Sequence, residues 1–476
     1  MRRSLFATSA VFALTLGSPA LALEPAELWA SWSPWLEDQG FTTESAGEED
    51  GGLVVRGLSK SDADGDTLVP TMRLMPEGDT VVVSWPEAIT HSKEGDGVFT
   101  LDATKMELRL DDASIPGVLG MVAGTLTGDV GMELSVPGQD GEDVVMSAFV
   151  GGVDIAAPQG NGQDGAMVST VFQSMDFAFE MPAPEGGTMS LTGENGPFEG
   201  TFEVAGLAAL TAGDPIAAIS QGTNLRTSGK HGAGTYTMVH PTEGSTQSWS
   251  DGAFGASLDR DGIAYSAEMN GVAMGGTLPD GMGAFTATAT QMAFGALFPL
   301  FAQGQNQPAR FELTIADLVV DAESVAMPAE MKAIFAEPMG IVLGVSAQVE
   351  MFQDLFPTSM ESEPESPETA GRVVSVALET FDVSFAGSTA TATGEAAVTG
   401  TTFADSQPGP AKGTLSLGNI AAAMDVLQGA GLLDGQMRGM AEGMLRGFAK
   451  PGEVDPLTYD LETDDWVGFL VNGNRF

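Results

Sequence analysis

Cysteine is absent from all 476 residues, which excludes disulfides, thiol chemistry and a cysteine-linked lipid anchor. Histidine and tyrosine are nearly missing, at three each. His91, His231 and His240 have no spacing that gathers them with carboxylates into a zinc site. Positive charge is scarce: 19 Lys and Arg stand against 65 Asp and Glu, for a net charge of −46. Such a field repels nucleic acid and anionic headgroups, so nucleic-acid binding is excluded. After Leu16 no run approaches the roughly 18 uncharged apolar residues of a membrane helix. A chain this long needs no staples, because it can bury a large core.

What remains is a folding sequence. Only 18% of residues are charged and 43% are hydrophobic, which separates the chain from a disordered acidic tail. The simplest reading of the charge is a solvated surface suited to salty surroundings. Arg2 and Arg3 precede an apolar run from Leu5 to Leu16, and Gly17, Ser18 and Pro19 break it before Ala20, Leu21 and Ala22. This pattern predicts a secretory signal over 1–22, cut between Ala22 and Leu23. The strong apolar run favours the general secretory route over the twin-arginine route. The expected compartment is the periplasm, with one elongated β-rich domain over 23–476 and sub-boundaries near 205–225 and 357–370.

Leu28, Trp29, Trp32, Trp35 and Leu36 fall at helical spacing and predict a helix over 24–39, with Pro34 as a kink. Its acidic residues oppose a membrane-surface role and favour a helix clamped on a sheet. From Phe41 onward the period is two. Thr80–Trp85, Val98–Ala103, Phe177 to Phe179, Ala264–Met269, Phe311–Ala316 and Ile341–Met351 read as strands, punctuated by Gly, Pro and Asp about every ten residues. That spacing predicts a large antiparallel meander, elongated or curved, with a few packed helices at the two ends and within. Helices are expected over 206–221 and 327–335, and a helical turn or loop over 294–301. Glu361–Glu368 reads as a charged, proline-broken linker. Strands are expected near 373–378, 381–385 and 394–401.

Asn419–Ala449 is the strongest helical segment. Leu433, Met437, Met440, Met444 and Phe448 form one apolar face, the candidate surface for an apolar ligand or partner. Gly431, Gly435, Gly439, Gly443 and Gly447 form a bare stripe. Each interior glycine costs about 0.5–1 kcal/mol against alanine, so the stripe predicts close backbone approach, most simply to the chain's own sheet. Asp434, Arg438, Glu442 and Arg446 oppose a bilayer span.

The C-terminal third resembles the uncharacterised bacterial envelope family called domain-of-unknown-function family 2125. The residues that carry this are Arg372–Val376, Leu415–Ile420, Gly447–Glu453 and Val471–Phe476, with Pro308–Leu313 and the tryptophan helix in the same pattern. The resemblance implies an envelope protein, similar in style to large periplasmic sheet proteins of outer-membrane maintenance and lipid traffic. It supplies no catalytic or binding residues.

Motifs with chemistry are weak. Gly160, Gly162 and Gly165 have dinucleotide-fingerprint spacing, but strand-prone Val168–Phe172 follows where a helix is required. Gly229–Lys230 ends in His231, where a phosphate loop needs Ser or Thr. Asp62, Asp64 and Asp66 resemble the start of a Ca²⁺ loop, but Thr67 stands where the loop needs glycine and Arg73 where it needs glutamate. No nucleophile elbow and no cofactor motif is present. The leading expectation is therefore a non-enzymatic periplasmic protein with an apolar groove for lipid or an envelope partner. A carboxylate-based hydrolase is the second reading. An outer-membrane barrel is the third; three tyrosines are too few for its aromatic girdles, and Asn472 and Asn474 share a face with terminal Phe476.

Overall fold

The computed structural model describes residues 23–63, 65–93, 97–110, 124–137, 144–157, 165–183, 186–206, 215–278, 283–321, 325, 332, 334–335, 337–355, 367–463 and 469–475. Alternating Val, Thr, Phe and Met segments, cut by glycine turns, leave the backbone little alternative to pleated pairing. Among the described residues twenty-seven strands join one antiparallel sheet. They begin with β1 (Ser45–Glu49), β2 (Gly52–Asp62), β3 (Gly65–Glu77), β4 (Thr80–Ser84), β5 (Ile89–Lys93), β6 (Gly97–Asp102), β7 (Glu107–Leu110), β8 (Gly124–Val136) and β9 (Val144–Ala157). Then come β10 (Gly165–Phe172), β11 (Ser174–Pro182), β12 (Thr188–Asn195), β13 (Phe198–Ala205), β14 (Asn224–His231), β15 (Gly234–Val239), β16 (Gly244–Trp249) and β17 (Asp251–Asp259). The long strands are β18 (Gly262–Leu278), β19 (Gly283–Phe298), β20 (Asn306–Asp321), β21 (Met339–Met351), β22 (Gly371–Phe385), β23 (Ser388–Thr399) and β24 (Gln407–Gly418). Last are β25 (Leu457–Thr463), β26 (Leu470–Val471) and β27 (Asn474–Arg475).

From β18 onward the sheet is a simple meander. Before it, strands of half length share a rung: β4 and β5 both pair with β3, β10 and β11 both pair with β9, and β16 and β17 both pair with β18. The breaks between half-strands line up into a crease. Gln173 donates its amide to Gly151 O at 2.8 Å, Gly232 to Pro197 O at 2.7 Å, and Ser250 to Asn270 O at 2.9 Å. Unbroken strands kink on the same line, at Gly152 (φ 63°), Gly271 (φ 57°) and Asp317 (φ 50°). A left-handed residue inside a strand bends it without ending it. Asp129 ties the crease by accepting the Gly152 amide at 2.9 Å, and Thr290 donates to Asp317 Oδ2 at 3.0 Å. Among the described residues β1 pairs only with β2 and β27 only with β26, so no ladder joins the two ends.

Among the described elements, four α-helices lie against the sheet: α1 (Pro25–Asp38), α2 (Pro215–Ser220), α3 (Ile420–Gly429) and α4 (Gly435–Phe448). The best-packed core is at the N-terminal end. There Leu23, Leu28 and Trp32 meet Leu53, Val55, Met72, Leu74, Val81, Val83 and Leu110, and burying each such side chain contributes about 1.5–3 kcal/mol. In α2, Ile219 packs with Leu225, Leu258, Leu300 and Phe301 at one margin. At the far end Ser388 Oγ accepts the Ala423 amide of α3 at 2.8 Å, and the Tyr459 hydroxyl donates to Leu445 O of α4 at 2.9 Å.

Several expectations are corrected. Phe294–Phe298 continues β19, because Phe294, Ala296 and Leu297 find strand partners in Leu313, Phe311 and Arg310. The two strands expected at 373–378 and 381–385 are one, β22, which absorbs the irregularity between them as a register shift. The long C-terminal helix is two. Gly431 turns left-handed (φ 69°) and the Asp434 side chain caps α4 by accepting the Met437 amide at 2.7 Å, so Leu433 lies between helices. Of the helix expected over 206–221, residues 207–214 lie outside the described residues, as do most of 327–335 and of 361–368.

Candidate functional site

In an antiparallel sheet, residues paired across strands project from the same face. Following the register from β2 traces one row across nearly the whole ladder. It starts Leu53, Leu74, Val83, Leu108, Leu126, Ile155 and Thr170. It passes Gly200 and Gly229 and goes on through Phe254, Ala267, Phe294, Leu313 and Leu343. It ends Phe381, Ala392, Leu415 and Tyr459. Strands spaced ~4.8 Å apart make this row about 80 Å long.

The row is apolar except at Thr170, and the two glycines in it are roofed by aromatic rings. A Cβ on Gly200 would meet Phe198 at 2.7 Å, and one on Gly229 would meet Phe254 at 2.7 Å. Phe172 stacks on Phe198 with ring centroids 4.5 Å apart, and Phe198 on Phe254 at 5.8 Å. Farther along, Tyr265 tilts on Phe294 at 5.9 Å and Phe294 meets Phe311 edge-on at 5.4 Å. From β2 to β25 neither the row nor the same-face positions next along each of its strands hold any Asp, Glu, Lys or Arg; in β22 a register shift puts Leu378, not Glu379, in that place. At the edge, β1 sets Glu48 opposite Leu53. The alternate positions, on the opposite face, hold Arg73, Glu107, Arg109, Asp154, Glu199, Lys230, Glu268, Glu312, Asp382 and Asp460. In a chain of charge −46, the row from β2 to β25 and its immediate same-face neighbours carry no charge.

Cover on this face is uneven. Leu53, Leu74 and Val83 are 7%, 0% and 0% exposed beneath α1, and Tyr459 is 5% exposed beneath α4. Burial pushes the Tyr459 phenol above its ordinary range. Between these ends Phe294 is 37% exposed, with Phe311 and Phe298 similar and Tyr265 at 46%. The described helices cap the two ends of the row, and no other described element covers its middle. Across the crease a parallel band continues the apolar surface through Leu101, Met132, Ala148, Phe177 and Tyr236. Leu101 joins Leu126 and Ile155 in one cluster, which places the band on the same side. One polar station interrupts it. Trp249 Nε1 donates to His231 Nδ1 at 3.0 Å, and the nearby Asn195 Nδ2 has no partner among the described residues.

The residues singled out in the sequence fare differently. Met437, Met440, Met444 and Phe448 are all exposed, between 39% and 63%. Among the described residues the glycine stripe serves no close approach: Cβ atoms on Gly435, Gly439, Gly443 and Gly447 would meet nothing within 4 Å. Arg438 decides this orientation. It pairs with Asp425 of α3 and with Glu442, and donates to Gln428 Oε1 at 2.9 Å. Those bonds turn the arginine side of α4 inward and both stripes outward. Asp62 pairs with Lys60 at 2.8 Å, Asp66 accepts from Ser61, and Asp64 lies outside the described residues. Among the described residues no three His, Asp or Glu side chains gather as a metal site. Val168–Phe172 belong to β10 and Gly229–His231 to β14. Ala22 lies outside the described residues, while Leu23 is buried in the core under α1. The perturbed carboxylates are capped structurally. Asp102 is held below its ordinary range chiefly by the Thr104 hydroxyl, Asp129 by the Gly152 amide and Glu453 by the Thr458 hydroxyl. No helix among the described residues is long and apolar enough to cross a membrane.

The open face was missed in the sequence because alternation in one strand says nothing about its neighbour's register. The available signal was the absence of charge at every second position of Phe, Leu and Val-rich runs. Set against family models, curated proteins and solved structures, the chain finds no match.

Proposed function

We propose that this is a non-enzymatic protein of the periplasmic envelope that holds an apolar ligand, a lipid in the first instance, against the open face of its sheet. One observation carries the reading: a charge-free apolar row crosses the ladder from β2 to β25 and is half-exposed between its capped ends. Contiguous apolar surface of this extent is costly to leave in water, and it marks an interaction surface. The signal-like N-terminus and the resemblance of the C-terminal third to an envelope family support the compartment. Gentle purification followed by native mass spectrometry and organic extraction tests the ligand. Co-purifying acyl lipid is expected; a clean, ligand-free mass from folded protein would count decisively against the reading. Recovery only from the detergent phase, with heat-modifiable migration on gels, would point to a barrel instead.

A further inference from the structure

Resting on the apolar-ligand reading, we infer that the open part of the row holds more than one diacyl lipid at a time. Their chains lie end to end across the strands, and no headgroup is recognised there. The first ground is length. The row runs about 80 Å, whereas one acyl chain spans about 15 Å, half the hydrocarbon thickness of a bilayer. Even without the capped ends, several chain lengths remain. The second ground is uniformity. Phe254, Phe294, Leu313 and Phe381 follow one another along the row with no charged residue beside them, so nothing fixes a ligand at one place. The third ground is charge. A second copy of this chain, also at −46, would approach against strong repulsion, whereas an uncharged acyl chain meets none. Arg73, Arg109 and Lys230, which could grip a phosphate, stand on the opposite face.

The test uses the full chain, stripped of lipid, incubated with phosphatidylcholine vesicles and weighed by native mass spectrometry. At saturation two or more lipids per chain are expected. Phe294→Asp in the open middle should lower that count without abolishing it, and Phe294→Leu should keep the original count. If Phe294→Asp loses its strand signature by circular dichroism, Tyr265→Asp, on the neighbouring strand, replaces it. Saturation at one lipid, or loss of all uptake by a folded Phe294→Asp protein, would overturn the end-to-end arrangement alone. No uptake by the unaltered protein would overturn the apolar-ligand reading with it. Vesicles containing phosphatidylglycerol should load equally at high salt, and a preference for them would overturn the claim that headgroups go unread.

Discussion

The N-terminal end of the apolar row and its middle are built from the same kind of residue and have opposite fates. Leu74 and Val83 are fully buried, because α1 folds back over them and sets Leu28 and Trp32 into the face. Phe294 and Phe311, larger and equally apolar, stay more than a third exposed, because no element of the described chain returns to that stretch. The difference teaches that apolarity and cover are separate properties. The covered end holds the fold together, and the open middle is free to meet something else.

The sharpest way to break this comparison is to truncate one residue in each region. Leu74→Ala should cost about 3 kcal/mol in chemical denaturation, the usual penalty of an uncollapsed core cavity. Phe294→Ala should cost clearly less, since its side chain is already partly in water, yet it should lower lipid loading. Equal stability losses at the two sites would show that the middle is also packed.

Next in size is the cap of the far end. Asp434→Ala removes the acceptor for the Met437 amide, and about 1 kcal/mol of local stability should go with it. Faster amide exchange in the first turn of α4, with β-strand exchange unchanged, would register it.

Smaller, and opposite in sign, is the effect at the glycine stripe. Gly439→Ala and Gly443→Ala face open space, so each should stabilise α4 by about 0.5–1 kcal/mol. Destabilisation would mean that a partner or another part of the chain lies there in solution, and the close approach read from the sequence would be restored.

The smallest change is expected at Asp405. Hydroxyls of Thr401 and Thr402, with their amides, hold its carboxyl well below the ordinary range. A carboxylate with a lowered folded value contributes stability that is complete above about pH 4 and is lost as the pH falls through that lowered value. Asp405→Asn should therefore unfold earlier than the parent at neutral pH, and the gap should close in strong acid. A gap constant with pH would remove the charged form from the account.

Local features were legible where the cause is local. Strand-forming alternation around Val81, Phe99, Phe177 and Tyr265, the tryptophan helix and the turn chemistry of the chain all register within a few neighbouring residues. The break at Gly431 was not read, because an αL turn and the Asp434 cap interrupt an apolar spacing that runs on regardless. Phe294–Phe298 was misread for the opposite reason: an unbroken apolar run has no period until a partner strand supplies one. The inward turn of Arg438, which sends the glycine and methionine stripes outward, depends on Asp425 and Gln428 in the preceding helix, and no local pattern encodes that pairing.

By itself the sequence determined the pleated, acidic, cysteine-free character of this protein, because period, charge and thiol content are sums over single residues. Tertiary structure alone decided that alternate residues of distant strands align into one uncharged row, and that the described helices shelter its ends. The physical reason is register: hydrogen bonds between strands fix which side chains share a face, and those bonds exist only once the sheet is assembled.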